Sequence, residues 1–137
     1  MKYLVDNSVW QRISNTAVFE AVTALTMTGS IVVITPQMLE YGHSARNPRD
    51  YDALMQRLNA FELLVPDAEC HALAMRIQSA LWHNGKVRGA GAFDILIAAI
   101  ALRHGAAVAH LDKNFQTIAS IMPELQQLWI GPRGTLD

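Results

Sequence analysis

The chain has a single cysteine, Cys70, in 137 residues. That excludes an intrachain disulfide and any zinc site built on several thiolates, and it fits a reducing compartment. No apolar run reaches about 18 residues without a charge or a breaker, and the start, MKYLVDNSVW, has no basic segment leading into a long apolar one. The expectation is a soluble, cytoplasmic protein with no membrane partner. Histidine is present but not grouped: His43, His71, His83, His104 and His110 form neither a His-x-x-x-His pair nor a His-Glu-x-x-His run, which argues against a histidine-built metal site. Charge of one sign is also missing. Lys and Arg number 11 against 12 Asp and Glu, a net charge of −1, so the electrostatic footprint of a protein that coats duplex nucleic acid is absent. If four carboxylates were gathered into one metal site, however, the rest of the protein would be net positive, so a nucleic-acid substrate is not excluded.

Half the residues (51%) are apolar and 17% are charged, the balance of a chain that buries a core, and the length suits one domain spanning 1–137. Pro and Gly occur singly, and there is no repeat, low-complexity tract or linker. Lys2 to Val5 reads as a short buried strand ended by Asp6-Asn7-Ser8, residues that favour turns and helix caps. A helix should follow and run to near Gly29. Ser30 to Thr35 (SIVVIT) is a β-branched run of strand length, with Pro36 at a natural first helical position before QMLEYGHSAR. Tyr51, Leu54, Met55 and Leu58 recur at helical spacing between Arg49 and Ala60, and Phe61 to Val65 looks like a third short strand. Pro66 and Asp67 open another helix that ends near Trp82, before His83-Asn84-Gly85. Asp94 to His104 is a helix closed by Gly105, Ala106 to Ala109 is a central strand, Asp112 begins a helix stopped by Pro123, and LQQLWI is a terminal strand. Strands that are apolar throughout, alternating with helices, predict an α/β fold with a central parallel sheet flanked by helices on both faces.

In such a sheet the functional crevice lies beyond the carboxyl ends of the strands. Asp6 ends the first strand, Asp112 follows the Ala106 to Ala109 strand, Asp94 opens the helix leading into that strand, and Glu40 stands one turn into the helix after the second strand. Each has a plainer reading: Asp6 and Asp112 as N-caps, Asp94 as a complement to the helix dipole, Glu40 as a solvated helix residue. Together they repel, and a divalent cation relieves that repulsion. Oxygen ligands without sulfur or histidine suit Mg²⁺ or Mn²⁺, which would serve phosphodiester hydrolysis.

These segments resemble a known family. LVDNSVW, the MLEYG helix, AFDILIAAIALRHGAAVAHLDKNF and the closing apolar strand are similar to a PIN domain, in particular to the VapC ribonuclease toxins of bacterial VapBC toxin–antitoxin modules. The resemblance spans essentially the whole chain. Its most specific part is Asp94, Ile97, Ala98, Ala99 and Ala101, then Asp112 and Phe115 beyond Gly105 and a short strand. It implies a single PIN-like domain with Asp6, Glu40, Asp94 and Asp112 as an acidic catalytic and metal-binding site for Mg²⁺ or Mn²⁺. It further implies an RNA substrate, a cognate VapB-like antitoxin that blocks the site, and a homodimer built through helices. Many members carry another acid two residues after the last aspartate; this chain has Asn114, which can orient a water or a phosphate but brings no charge, and this leaves a fully occupied second metal position open.

Ser8, Lys86, Arg88, Lys113 and Asn114 are candidate substrate-binding residues, with Arg46 and Arg49 as further cations able to meet phosphates. Ordinary solubilising charge explains the cations equally well, and turn duty explains Ser8. Trp10 and Trp82 are candidate stacking platforms for bases, against a buried or interface role. His110, two residues before Asp112, reads as structural. Leu54, Met55 and Leu58 suit either a dimer surface or the core. Two other phosphate-handling classes fit less well. A phosphatase of the haloacid dehalogenase type needs an acid where Ser8 stands, and a receiver domain with Asp67 as phosphoacceptor lacks a late lysine-bearing strand. A stand-alone RNA-processing PIN nuclease and a catalytically silent PIN-like scaffold are the remaining alternatives.

Overall fold

In the computed structural model, residues 1–131 are described, so the last part of the expected 1–137 domain lies outside the described residues. Five strands, β1 (Lys2–Val5), β2 (Ser30–Val33), β3 (Glu62–Leu63), β4 (Ala107–His110) and β5 (Gln127–Trp129), form one sheet in the order β3-β2-β1-β4-β5. Every pairing is parallel, with Leu4 opposite Val32 on one side and Val108 on the other. The helices are α1 (Asn7–Trp10), α2 (Thr16–Leu25), α3 (Thr35–His43), α4 (Pro48–Asn59), α5 (Ala68–His83), α6 (Ala92–His104) and α7 (Lys113–Ile121). Among the described residues none is long and apolar enough to cross a membrane.

Alternation along the strands sends neighbouring side chains to opposite faces, and the core divides accordingly. Leu4, Val32, Ile34 and Val108 pack with Ile77 and Leu81 of α5, Ile97, Ile100 and Ala101 of α6, and Phe115 and Ile118 of α7. Val5, Ile31, Val33 and Ala109 pack on the other face with Val9, Trp10, Val18, Val22, Tyr41 and Leu58. With both faces covered, the strands have no polar side to show, which is why SIVV and AVAH read as continuous apolar runs. The sequence from Ile97 to Ala101 is buried throughout. Its alanines let α6 lie close to the sheet while α5 and α7 cover its remaining sides.

One expected element divides. The helix predicted from Asp6 to near Gly29 is two helices, because the Asn15 side chain accepts hydrogen bonds from the backbone of Ala17 (2.9 Å) and Val18 (3.2 Å) and starts α2 afresh. Elsewhere boundaries move by a residue or two. Thr35 belongs to α3 rather than β2, and only Glu62 and Leu63 of the FELLV segment are strand. Asp67 caps α5 by accepting from Cys70 N–H at 3.1 Å. Gly105 closes α6 with φ +66, a left-handed conformation that glycine adopts without steric cost. Leu58 is core, while Leu54 and Met55 are half-buried.

Candidate active site

The carboxyl edge of the sheet is shaped by the turns after β1 and β4, and hydrogen bonds tie these turns to each other. Asp6 N–H donates to Ala109 O at 2.9 Å, carrying the β1–β4 pairing one residue past the strand. The Asp6 carboxylate then accepts from Ser8 N–H at 3.0 Å and caps α1. Ser8 turns its hydroxyl toward the other turn, where it accepts the Leu111 N–H at 3.0 Å. Ser8 is thus a clasp between two loops that are remote in sequence.

Asp112 is held from both sides. Its backbone N–H donates to His110 Nδ1 at 3.1 Å, and its Oδ1 accepts from Asn114 N–H at 2.9 Å to cap α7. Because His110 Nδ1 accepts a backbone proton, the ring hydrogen must be on Nε2, which donates to Gln127 Oε1 at 2.6 Å. The fully buried ring lies against Phe115 and Trp129. Burial lowers its pKa, in keeping with the neutral form that these bonds require. His110 is therefore structural, as expected, and its particular task is to fix the turn that carries Asp112.

Asp94 stands in the first turn of α6, whose N-cap residue Gly91 has no side chain to offer. Its Oδ2 accepts from Asn114 Nδ2 at 2.9 Å. Asp6, only 5% exposed, has its pKa raised chiefly by burial and further by Asp112, against the opposing hydrogen bonds from Ser8. Asp94 is raised chiefly by burial and then by Asp112 and Asp6, while Asn114 opposes the shift. Three of the four acids thus converge electrostatically. Two of them, Asp6 and Asp112, are also N-caps, as the plainer reading has it, and each cap bond engages one carboxylate oxygen, which leaves the other for a further partner. Among the described residues no three His, Cys, Asp or Glu side chains are close enough to enclose a metal ion unaided. Glu40 is exposed on α3, and the charges that raise Asp6 and Asp94 are those of the aspartates.

The candidate cations are exposed. Lys86 and Arg88 are exposed in the α5–α6 connection, and Lys113 is exposed at the start of α7. This connection runs tight against α7: a Cβ on Gly89 would fall 2.5 Å from Thr117 Cγ2, so glycine is what permits the approach. Arg46 is paired with Asp50 at 3.6 Å, and Arg49 is exposed. Trp10 is 3% exposed and stacked on Phe61, so it offers no free face to a base, whereas Trp82 is exposed at the end of α5.

Sequence reasoning missed Gln37. It is fully buried, its Nε2 donates to Val5 O, its Oε1 accepts from Ile34 N–H at 3.4 Å, and its carbonyl accepts from Asn7 Nδ2 at 3.0 Å. Gln37 joins the helix bearing Glu40 to the strand that presents Asp6. A glutamine in the first turn of a helix is ordinarily solvated, so nothing in its sequence context marked it.

Acidic side chains gathered at the carboxyl edge of a doubly covered parallel sheet define an α/β domain built around an acidic crevice. The chain belongs to the PIN domain family, whose model matches residues 3–121. It is similar to Ribonuclease VapC51 of Mycobacterium tuberculosis (strain ATCC 25618 / H37Rv), with 40% identity over 137 residues covering 100% of this chain and 98% of that protein. Ribonuclease VapC18 of the same strain is 32% identical over 138 residues, covering 99% and 100%. Among solved structures, VapBC2 from Rickettsia felis bound to a DNA fragment from their promoter matches with a TM-score of 0.78 at 17% identity, covering 94% of this chain and 99% of that one. VapBC-1 from nontypeable Haemophilus influenzae matches with a TM-score of 0.77 at 15% identity, covering 93% and 97%. At these identities the structural likeness is one of fold.

Proposed function

We propose that the protein is a divalent-cation-dependent endoribonuclease, the toxin of a VapBC-type module. The observation that carries the reading is the convergence of Asp6, Asp94 and Asp112 on one crevice. Burial and mutual repulsion raise two of these acids above ordinary carboxylates, a strain that a bound cation would relieve. The donor set is all oxygen, which suits Mg²⁺ or Mn²⁺, and Mg²⁺ characteristically keeps several waters and takes further oxygens from phosphate. Asp6, Asp94 and Asp112 would hold it, and Glu40, exposed on α3, would join only by turning toward the crevice. When bound, the cation supplies a nucleophilic water and charge stabilisation at the leaving oxygen. The chain's own part is to keep the aspartates in place through Ser8, His110 and Asn114, and to offset the charge of the RNA backbone with Lys86, Arg88 and Lys113. Similarity to proteins named Ribonuclease VapC supports RNA as the substrate, and fold neighbours solved as VapBC support a VapB-like antitoxin covering the crevice. A homodimer through the helices and a cytoplasmic location belong to the same reading.

Product chemistry tests it. Hydrolysis by an activated water leaves a 5′-phosphate and a 3′-hydroxyl, is abolished by EDTA, and is lost in Asp6→Ala together with growth arrest on expression. A 2′,3′-cyclic phosphate product, or cleavage undiminished in EDTA, would overturn the mechanism. Growth arrest by Asp6→Ala equal to wild type would separate toxicity from this site.

A further inference from the structure

Two residues after Asp112 the chain carries Asn114, and its side chain already has a partner. Nδ2 donates to Asp94 Oδ2 at 2.9 Å while the backbone N–H of the same residue donates to Asp112 Oδ1 at 2.9 Å. One residue thus links the carboxylate of α6 to the carboxylate that caps α7. Left alone, a half-buried carboxylate facing two others would turn away from them. An amide donor restrains it without adding charge.

We propose that Asn114 is a positioning residue of the cation site, holding Asp94 toward Asp112 and closing that edge of Asp94 to a second cation. The proposal rests on the metal reading above. The closing effect follows from the direction of the hydrogen bond: the N–H takes the Oδ2 lone pair that faces Asn114, so a second ion on that side would have to displace a neutral donor and would find no further carboxylate there. A neutral side chain that orients a ligand without binding the ion is the kind of partner whose loss weakens metal affinity roughly 10- to 100-fold. The bond to Asp94 engages one of the two amide hydrogens of Asn114.

The test is Mn²⁺ titration of the metal-stripped protein by calorimetry, with free Mn²⁺ followed by electron paramagnetic resonance. Wild type should bind one ion per chain. Asn114→Ala keeps the backbone bond to Asp112, so its melting temperature in EDTA should match wild type while Mn²⁺ binding weakens about tenfold or more. Asn114→Asp exchanges the donor for a ligand and should take up a second ion. Should Asn114→Ala melt early, Asn114→Gln, which keeps the amide but displaces it by a methylene, carries the same affinity test. Unchanged Mn²⁺ affinity in the folded variant, or two ions in wild type, overturns the proposal alone. Wild type that binds no Mn²⁺ overturns the metal reading and the proposal with it.

Discussion

Asp94 shows how a group can cost stability in the fold while the proposed mechanism requires it. Its pKa is raised in the folded protein, first by burial and then by Asp112 and Asp6, so the folded form keeps this proton to higher pH than the unfolded chain does. Stability is therefore lost as pH climbs from the ordinary carboxylate range through the raised value. Asp94→Asn removes that loss and can still accept the Asn114 hydrogen bond. In EDTA the variant should melt above wild type at neutral pH, with the gain shrinking toward pH 4, while RNA cleavage disappears. A variant that melts below wild type at neutral pH would mark Asp94 as a structural cap. Ser8 makes the opposite prediction. Ser8→Ala deprives Leu111 N–H of its acceptor and Asp6 of a stabilising bond, so denaturant unfolding should show a loss of about 1 to 3 kcal/mol. The residues themselves were partly legible beforehand. A Ser two positions after a strand-ending Asp is visible in the sequence, but its partner Leu111 is visible only once β1 and β4 lie side by side.

Helices here announce their starts more clearly than their continuity. Asp67 before α5, Asp112 before α7 and Gly105 after α6 are each readable from local chemistry, and each acts as read. Asn15 is the same kind of signal inside a stretch read as one helix. Polarity of Glu40 and Gln37 in α3 gave no hint of which one is buried, because burial is set by the neighbouring strand rather than by the helix. Asp67 also carries a measurable consequence. Its carboxylate caps α5 and meets Arg103 at 3.0 Å, and the guanidinium holds its pKa down to about 2. Asp67→Ala should lower the denaturant midpoint modestly through the lost cap. Because the folded pKa is depressed, the difference from wild type should be full at neutral pH and fade as acid takes the medium from the ordinary carboxylate range down toward pH 2.

At the scale of the molecule, the proposed cation site would link binding to folding, because the unfolded chain does not bring Asp6, Asp94 and Asp112 together. Mn²⁺ or Mg²⁺ at 100 times its dissociation constant should add about 2.7 kcal/mol to stability, read as a rise in melting temperature that is absent in the Asp6→Ala, Asp94→Asn double variant. A flat melting temperature across millimolar Mn²⁺ in wild type would remove the cation from the mechanism. The fold class was open to sequence reasoning because strands covered on both faces cannot alternate polar and apolar residues. The strand order was not, since nothing local in KYLV or AVAH says that they are neighbours.

That neighbourhood governs when the protein can act. β4 lies between β1 and β5, and Asp6 and Asp112 face each other only after the late strand has slotted in beside the first. Contacts between such distant parts of a chain form last, after the loop between them has been drawn closed. A polypeptide still growing from its N-terminus would display Asp6 and Glu40 with no Asp112 to complete them. On the proposed reading, a nuclease organised in this way has no complete acidic crevice until β4 and the turn after it have been made and have docked beside β1.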